Sequence, residues 1–177
     1  MINYLNGGNK NYLTLSADDL KVIKWYVDAS FEVLPDFNSH TGVILTMGQG
    51  FMQSVPRKHK LNMSIIQEAG LVAVGYTSVY ILWKVLFIEW QGYNIDKNIL
   101  YQDNESSIML EVDSKRISGK RIQALSIRLI VMKYKVLKEN VHIKYCPTDK
   151  MWGYFMTKPM QRSNFRNFKN SVLGGNE

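Results

Sequence analysis

The spacing of apolar and polar positions changes several times along the chain, and each change marks an element. Residues 1–20 are mostly polar, with Gly7-Gly8 and an asparagine-rich start, and read as a loose leader without a core. From Lys21 the run VIKWYVDASF alternates and is rich in β-branched and aromatic side chains, predicting a strand over 21–28. Pro35, Asn38 and Ser39 mark a turn. A second strand is predicted over 41–47, and Gly48-Gln49-Gly50 closes a hairpin onto a short third strand at 51–54. Residues 64–91 contain no proline and carry Ile65, Ile66, Leu71, Val72, Val79, Leu82, Leu86 and Phe87, which predicts a long helix ended by Gly92. A strand at 97–103, a short helix at 104–110, a basic loop at 115–119, a second long helix at 122–140 and a last strand at 141–145 follow. Pro147 breaks that strand, and a helical or irregular tail begins at Lys150.

Three antiparallel strands followed by strands reached through helices imply a mixed α/β sheet with helices on its faces. Ligands of such sheets favour the carboxyl ends of the central strands. Asp28 and Asp103 both fall at predicted strand ends.

A length of 177 residues allows one domain of ordinary size and excludes a large multidomain enzyme. With 46% apolar and 21% charged residues, the composition is far from that of a disordered chain. Cys146 is the single cysteine and cannot form an internal disulfide. The start MINYLNGGNK lacks the basic-then-apolar run of a secretory signal, so an intracellular protein of the cytoplasm or nucleus is expected. Residues 69–83 carry no charge, but their glycines, Tyr76, Thr77 and Ser78 suit a buried helix better than a membrane span.

Charge divides the chain. Residues 1–110 hold eight Lys/Arg against ten Asp/Glu, and 111–177 hold fourteen against five. A basic C-terminal third offers a polyanion such as nucleic acid one face to approach. The alternative is that Lys133, Lys135 and Lys138 form only the solvated face of a helix.

Two aspartates at the ends of neighbouring strands would present oxygen to a hard divalent cation. A two-metal nuclease needs more carboxylates than that, and Asp103-Asn104 equally suits the cap of the helix that follows. His40 and His142 lack metal-ligand spacing and read as structural or surface residues. His59, beside Arg57, Lys58 and Lys60, could touch phosphate, but a solvated loop is the expected reading. Cys146 reads as a packed thiol.

At this point the residues carry a resemblance. LTLSADDLKVIKWYVDASF, then Ser39-His40-Thr41-Gly42, Arg57-Lys58, Ile99-Leu100-Tyr101-Gln102-Asp103-Asn104, Tyr145-Cys146-Pro147-Thr148 and Phe155-Met156-Thr157-Lys158-Pro159 together resemble the ribonuclease H domain of copia-type LTR retrotransposon Pol polyproteins. The resemblance covers roughly residues 13–173. It implies a five-stranded mixed sheet: an antiparallel meander of the first three strands, the fourth and fifth parallel to the first, and helices on both faces. The ribonuclease H-like domain would occupy 21–160, with a leader at 1–20 and a helical tail at 161–177.

The activity implied by the resemblance is hydrolysis of RNA in RNA–DNA hybrids by two Mg2+ ions on four acids. Carried over position by position, the first acid is Asp28 and the third Asp103. The second falls on Gly70 and the fourth on Tyr154. Glu68 points about 200° away from position 70 on a helix, Tyr154 is neutral near pH 7, and Asp149 is five residues from position 154. Two aspartates would hold at most one hydrated Mg2+ ion, weakly. The expected protein is therefore a degenerate, inactive member. Two alternatives stay open: a residual weak nuclease, and a non-catalytic nucleic-acid-binding module using Arg57, Lys58, Lys115, Arg116, Lys120, Arg121 and Arg128. The implied partners are an RNA–DNA hybrid, bound weakly, and an upstream reverse-transcriptase domain of the same polyprotein. Ser64-Ile65-Ile66 weakens the cap of the long helix, Gly70 and Gly75 each cost it about 1 kcal/mol, and Trp152 replaces a small apolar residue, with overpacking expected at about 1–3 kcal/mol.

Overall fold

The computed structural model describes residues 11–30, 39–58, 66–105, 108, 141–160 and 162–175. The predicted helix at 122–140 and the residues His59, Lys115, Arg116, Lys120, Arg121 and Arg128 lie outside the described residues. Seven strands are described: β1 (Ser16–Ala17), β2 (Val22–Ser30), β3 (His40–Thr46), β4 (Gly48–Gln49), β5 (Gln53–Lys58), β6 (Lys97–Gln102) and β7 (Val141–Tyr145). The helices are α1 (Ile66–Trp90) and α2 (Arg162–Leu173), with two 3-10 turns, Thr148–Lys150 and Trp152–Met156, between β7 and α2.

Five strands form one mixed sheet in the order β5-β3-β2-β6-β7. β2 pairs antiparallel with β3, and β3 antiparallel with β5, while β6 runs parallel to β2 and β7 parallel to β6. This is the meander-plus-parallel arrangement expected from the sequence.

The alternation in β2 sorts its side chains onto two faces. Ile23, Trp25 and Val27 join Val43, Leu45 and Leu100 and pack under Ala73, Val74, Ile81 and Val85 of α1. On the other face, Tyr26 meets a second cluster built from Ile44, Phe51 and Phe168, with Trp152 and Phe155 packed against it. Ile23, Val27, Ile44 and Leu100 are fully buried, and burial of such side chains contributes about 1.5–3 kcal/mol each. The covered second face is where the acidic residues lie.

α1 stops where the sequence predicts. Gly92 has φ 88°, its N–H bonds the Glu89 carbonyl (2.9 Å), and the Tyr93 N–H reaches back to Ile88 (3.2 Å), the paired closure that a left-handed residue after a helix permits.

Three expectations are corrected. The leader is not wholly loose: β1 pairs antiparallel with β4, and the Thr14 N–H donates to the Leu173 carbonyl (2.7 Å). Residues 11–20 are exposed, and the pairing adds a hydrogen bond from the Ser16 hydroxyl to Gln49 Oε1 (3.3 Å) to its backbone bonds, so it leaves no apolar signature. The third strand of the main sheet begins at Gln53, because Phe51 turns into the second cluster and the Met52 N–H bonds Leu45 (2.9 Å). Finally, α1 is not buried around its circumference: Val79, Trp83, Leu86, Phe87 and Trp90 are exposed. Among the described residues, no helix is long and apolar enough to cross a membrane.

Candidate functional site

β2 and β6 lie side by side in parallel, in a register that places Tyr26 opposite Tyr101. Their rings stack at 4.8 Å. Two residues further along each strand direction, on the same face, come Asp28 and Asp103, so the sheet brings together the two acids singled out in the sequence. Asp28 is buried, with 3% of its surface exposed. Asp103 is half-buried and accepts a hydrogen bond from the Thr148 hydroxyl (3.2 Å).

The Trp152–Met156 turn covers this face. Gly42 and Asp28 are cross-strand partners, and Gly153 sits against both. A Cβ on Gly153 would stand 2.7 Å from the Asp28 nitrogen, and one on Gly42 would stand 2.6 Å from the Gly153 carbonyl oxygen. Only a residue without a side chain permits such backbone approach at each position. Trp152 anchors the turn from the other side, its ring 4.5 Å from that of Tyr26 and 5.0 Å from that of Phe51. The indole of Trp152 thus joins an aromatic cluster over the sheet with Tyr26 and Phe51.

The end of the turn delivers two side chains to Asp28. The Thr157 hydroxyl donates to Asp28 Oδ2, and the Lys158 Nζ lies 3.8 Å from the same oxygen. The Tyr154 carbonyl clamps this segment, accepting from the Thr157 N–H (3.2 Å) and the Lys158 N–H (3.1 Å), with the Thr157 hydroxyl 3.0 Å away. The Lys158 ammonium also stands 4.0 Å above the centre of the Tyr154 ring, an attractive cation–π placement.

Burial pushes the Asp28 carboxyl above the usual carboxylate range. The Thr157 hydrogen bond and the Lys158 charge pull it down, the Asp103 charge pushes it up, and the Ala29 amide pulls it down. Desolvation prevails. A hydroxyl has one proton to give. With Asp28 ionised, Thr157 donates to the carboxylate; with Asp28 neutral, the carboxyl donates to Thr157, which turns its own proton to the Tyr154 carbonyl. Both protonation states therefore find partners.

Of the other residues singled out in the sequence, Tyr154 is at the site through its ring and carbonyl, while Gly70 lies near the N-terminal end of α1. Arg57 is exposed on β5 with its guanidinium 4.0 Å over the Tyr76 ring. Lys58 is exposed on the same strand, as is His142 on β7. Cys146 is buried, and its thiol is pushed up by burial and then by the Asp103 and Asp149 charges, which disfavours the reactive thiolate.

These residues do not fit a pair of magnesium ions. Among the described residues, no group of three or more His, Cys, Asp or Glu side chains converges to hold a metal. Asp28 already spends one oxygen on Thr157 and Lys158, and position 154 supplies a neutral ring.

Thr157, Lys158, Gly42 and Gly153 are the participants that sequence reasoning leaves without a role. All four stand within or beside the quoted motifs. Nothing in their spacing, however, points Thr157 at an aspartate 129 positions away.

No family model matches the chain and no curated protein matches it. Its fold is similar to solved ribonuclease H structures. The N-terminal RNase H domain of a Mycobacterium tuberculosis protein, solved as a fusion with maltose-binding protein, superposes with a TM-score of 0.52 at 5% identity, covering 77% of this chain and 90% of that one. An RNase H1 isolated from compost by a metagenomic approach gives 0.53 at 12% identity, covering 77% and 93%. The same enzyme in complex with RNA/DNA hybrid gives 0.50 at 13% identity, covering 73% and 88%. The chain thus has a ribonuclease H-like fold.

Proposed function

We propose that this chain is a ribonuclease H-like domain of copia-type retrotransposon descent that binds nucleic acid, RNA–DNA hybrid foremost, without hydrolysing it. One observation carries the reading: the buried Asp28 is committed to Thr157 and Lys158, while the positions of the two missing acids hold Gly70 and Tyr154. Two-metal hydrolysis draws its rate from ions that activate the attacking water and stabilise the leaving oxygen. A face with two aspartates and an ammonium lacks the negative charge to hold such ions, so at most one hydrated Mg2+ would bind, and weakly.

Binding needs no such ligands. The C-terminal third keeps its basic excess, and α2 carries Arg162, Arg166 and Lys169 with no acidic residue in its sequence. Lys144 on β7 and Lys150 in the first 3-10 turn are exposed, and Lys115, Arg116, Lys120, Arg121 and Arg128 add charge in the preceding segment. The fold is one that engages hybrid in the compost enzyme. A reverse-transcriptase domain upstream in the same polyprotein is the protein partner that this descent implies.

Fluorescence anisotropy of a labelled RNA–DNA hybrid, titrated with the full chain across a salt series, tests the binding. Affinity should fall linearly on a log–log plot as phosphate contacts release counterions. A flat response, or no binding at low salt, contradicts it.

A further inference from the structure

We propose that the outer face of α1 is a self-association surface: a second copy of this chain docks on it, helix against helix and antiparallel. The proposal stands apart from the reading of the acidic face, because α1 packs on the side of the sheet opposite Asp28.

A helix laid on a sheet ordinarily turns apolar side chains inward and polar ones to water. α1 does not. Its inner face buries Ala73, Val74, Ile81 and Val85, yet Val79, Trp83, Leu86, Phe87 and Trp90 are exposed, from 46% at Leu86 to 88% at Trp90. Val79, Trp83, Leu86 and Trp90 follow one another at intervals of four, three and four residues, which lines them along one stripe with the spacing of a helix-to-helix seam. The rings of Trp83 and Phe87 stack at 5.4 Å, so Phe87 widens the stripe. With aromatic side chains of roughly 150–250 Å2 each, the exposed parts of these five residues offer roughly 500 Å2 per copy. A pair then covers roughly 1,000 Å2, where specific interfaces begin.

Charge picks the occupant. Between Val79 and Trp90 the charged residues are Lys84 and Glu89 alone. The Lys84 ammonium lies over this face, 4.9 Å from the centre of the Trp83 ring and 5.8 Å from that of Phe87, and Glu89 is exposed. One cation beside one anion gives a polyanion no net charge to hold, but it matches a copy of itself. A two-fold axis between Leu86 and Phe87 sets Trp83 level with Trp90 of the second copy, Leu86 with its Phe87 and Lys84 with its Glu89. Apolar side chains meet apolar side chains, and the symmetry makes each opposite-charge pair twice.

Sedimentation velocity of the full chain from about 1 to about 200 µM tests this. The wild type should sediment as a concentration-dependent dimer. Trp90→Glu, at a position too exposed to unsettle the fold, should weaken the dimer at least about tenfold with an unchanged circular dichroism spectrum. Lys84→Glu and Glu89→Lys each set like charges level with one another, and each alone should weaken the dimer about tenfold. Mixed together, the two variants restore both opposite-charge pairs and should recover about that factor. A monomer at every concentration overturns the proposal, whether the face then stays bare or is covered by residues 122–140 of the same chain or by a reverse-transcriptase domain. So does a dimer that Trp90→Glu leaves intact, or a mixture no tighter than its parts.

Discussion

Gly153 lies against the backbone of Asp28 so closely that a methyl group there would come within 2.7 Å of the aspartate nitrogen and 3.1 Å of its Cβ. The turn that carries Trp152, Tyr154, Thr157 and Lys158 is therefore fixed relative to the strand that carries the acid. Everything delivered to Asp28 depends on that contact.

Gly153→Ala should destabilise the domain by about 1–3 kcal/mol through overpacking against backbone that cannot yield. Gly92→Ala makes the useful contrast, since nothing lies within 4 Å of its Cβ position and only the φ of 88° opposes it, at about 1–2 kcal/mol. Urea denaturation measures both. The amide resonances of Asp28 and Gly42 should move in the first variant alone.

Asp28→Asn should remove a pH dependence. Burial raises the folded carboxyl above its unfolded value, so the folded state keeps its proton to higher pH than the unfolded state. Stability then falls as pH rises from the ordinary carboxylate range through the folded pKa, and levels off above it. The asparagine variant should lack this fall. It should be at least as stable as the wild type near neutrality, with the difference shrinking on acidification. Identical stability profiles over about pH 4 to 8 would contradict the raised carboxyl.

Thr157→Val deletes the hydroxyl donor to Asp28 and leaves the volume nearly unchanged. The cost should be about 1–3 kcal/mol, as for a lost hydrogen bond to a charged group. The Asp28 carboxyl should titrate still higher by NMR, because the lost bond favoured the ionised form. Thr157→Ser should restore both properties.

Much of the sheet was legible in the sequence because alternation in VIKWYVDASF, turn residues and Gly92 are local signals. The bounds of β7 match the expected strand at 141–145. The pairing of β1 with β4 was not legible, since it joins two dipeptides 32 positions apart, without an apolar pattern, and the need for glycine at 48, whose Cβ would stand 2.6 Å from the Ser16 carbonyl oxygen, is set by tertiary contact. Nor was the exposed outer face of α1, since Val79, Leu86 and Phe87 belong to the same apolar run that predicts the helix. At the site, Asp28 and Asp103 could be placed from strand ends and motif positions. Thr157 and Lys158 could not be joined to Asp28, because that contact is made by tertiary packing of Gly153 on β2. The aromatic neighbours of Trp152, Tyr26 and Phe51, could not be read from the sequence either, because they lie more than 100 positions away in the chain.

Trp152→Ala should accordingly destabilise by about 3 kcal/mol, the low end of the range for removing a large aromatic side chain, because Trp152 is only half-buried. An overpacked indole would give the opposite sign. Equilibrium unfolding of this variant and of Trp152→Leu separates the two, with leucine expected to recover only part of the loss.

The central claim is that this carboxylate face supports no hydrolysis. Labelled RNA–DNA hybrid incubated with the full chain in Mg2+ or Mn2+, beside Asp28→Asn, tests it most directly. The predicted result is no cleavage that depends on Asp28. Metal-dependent cleavage of the RNA strand by the wild type, abolished in Asp28→Asn, would contradict the account.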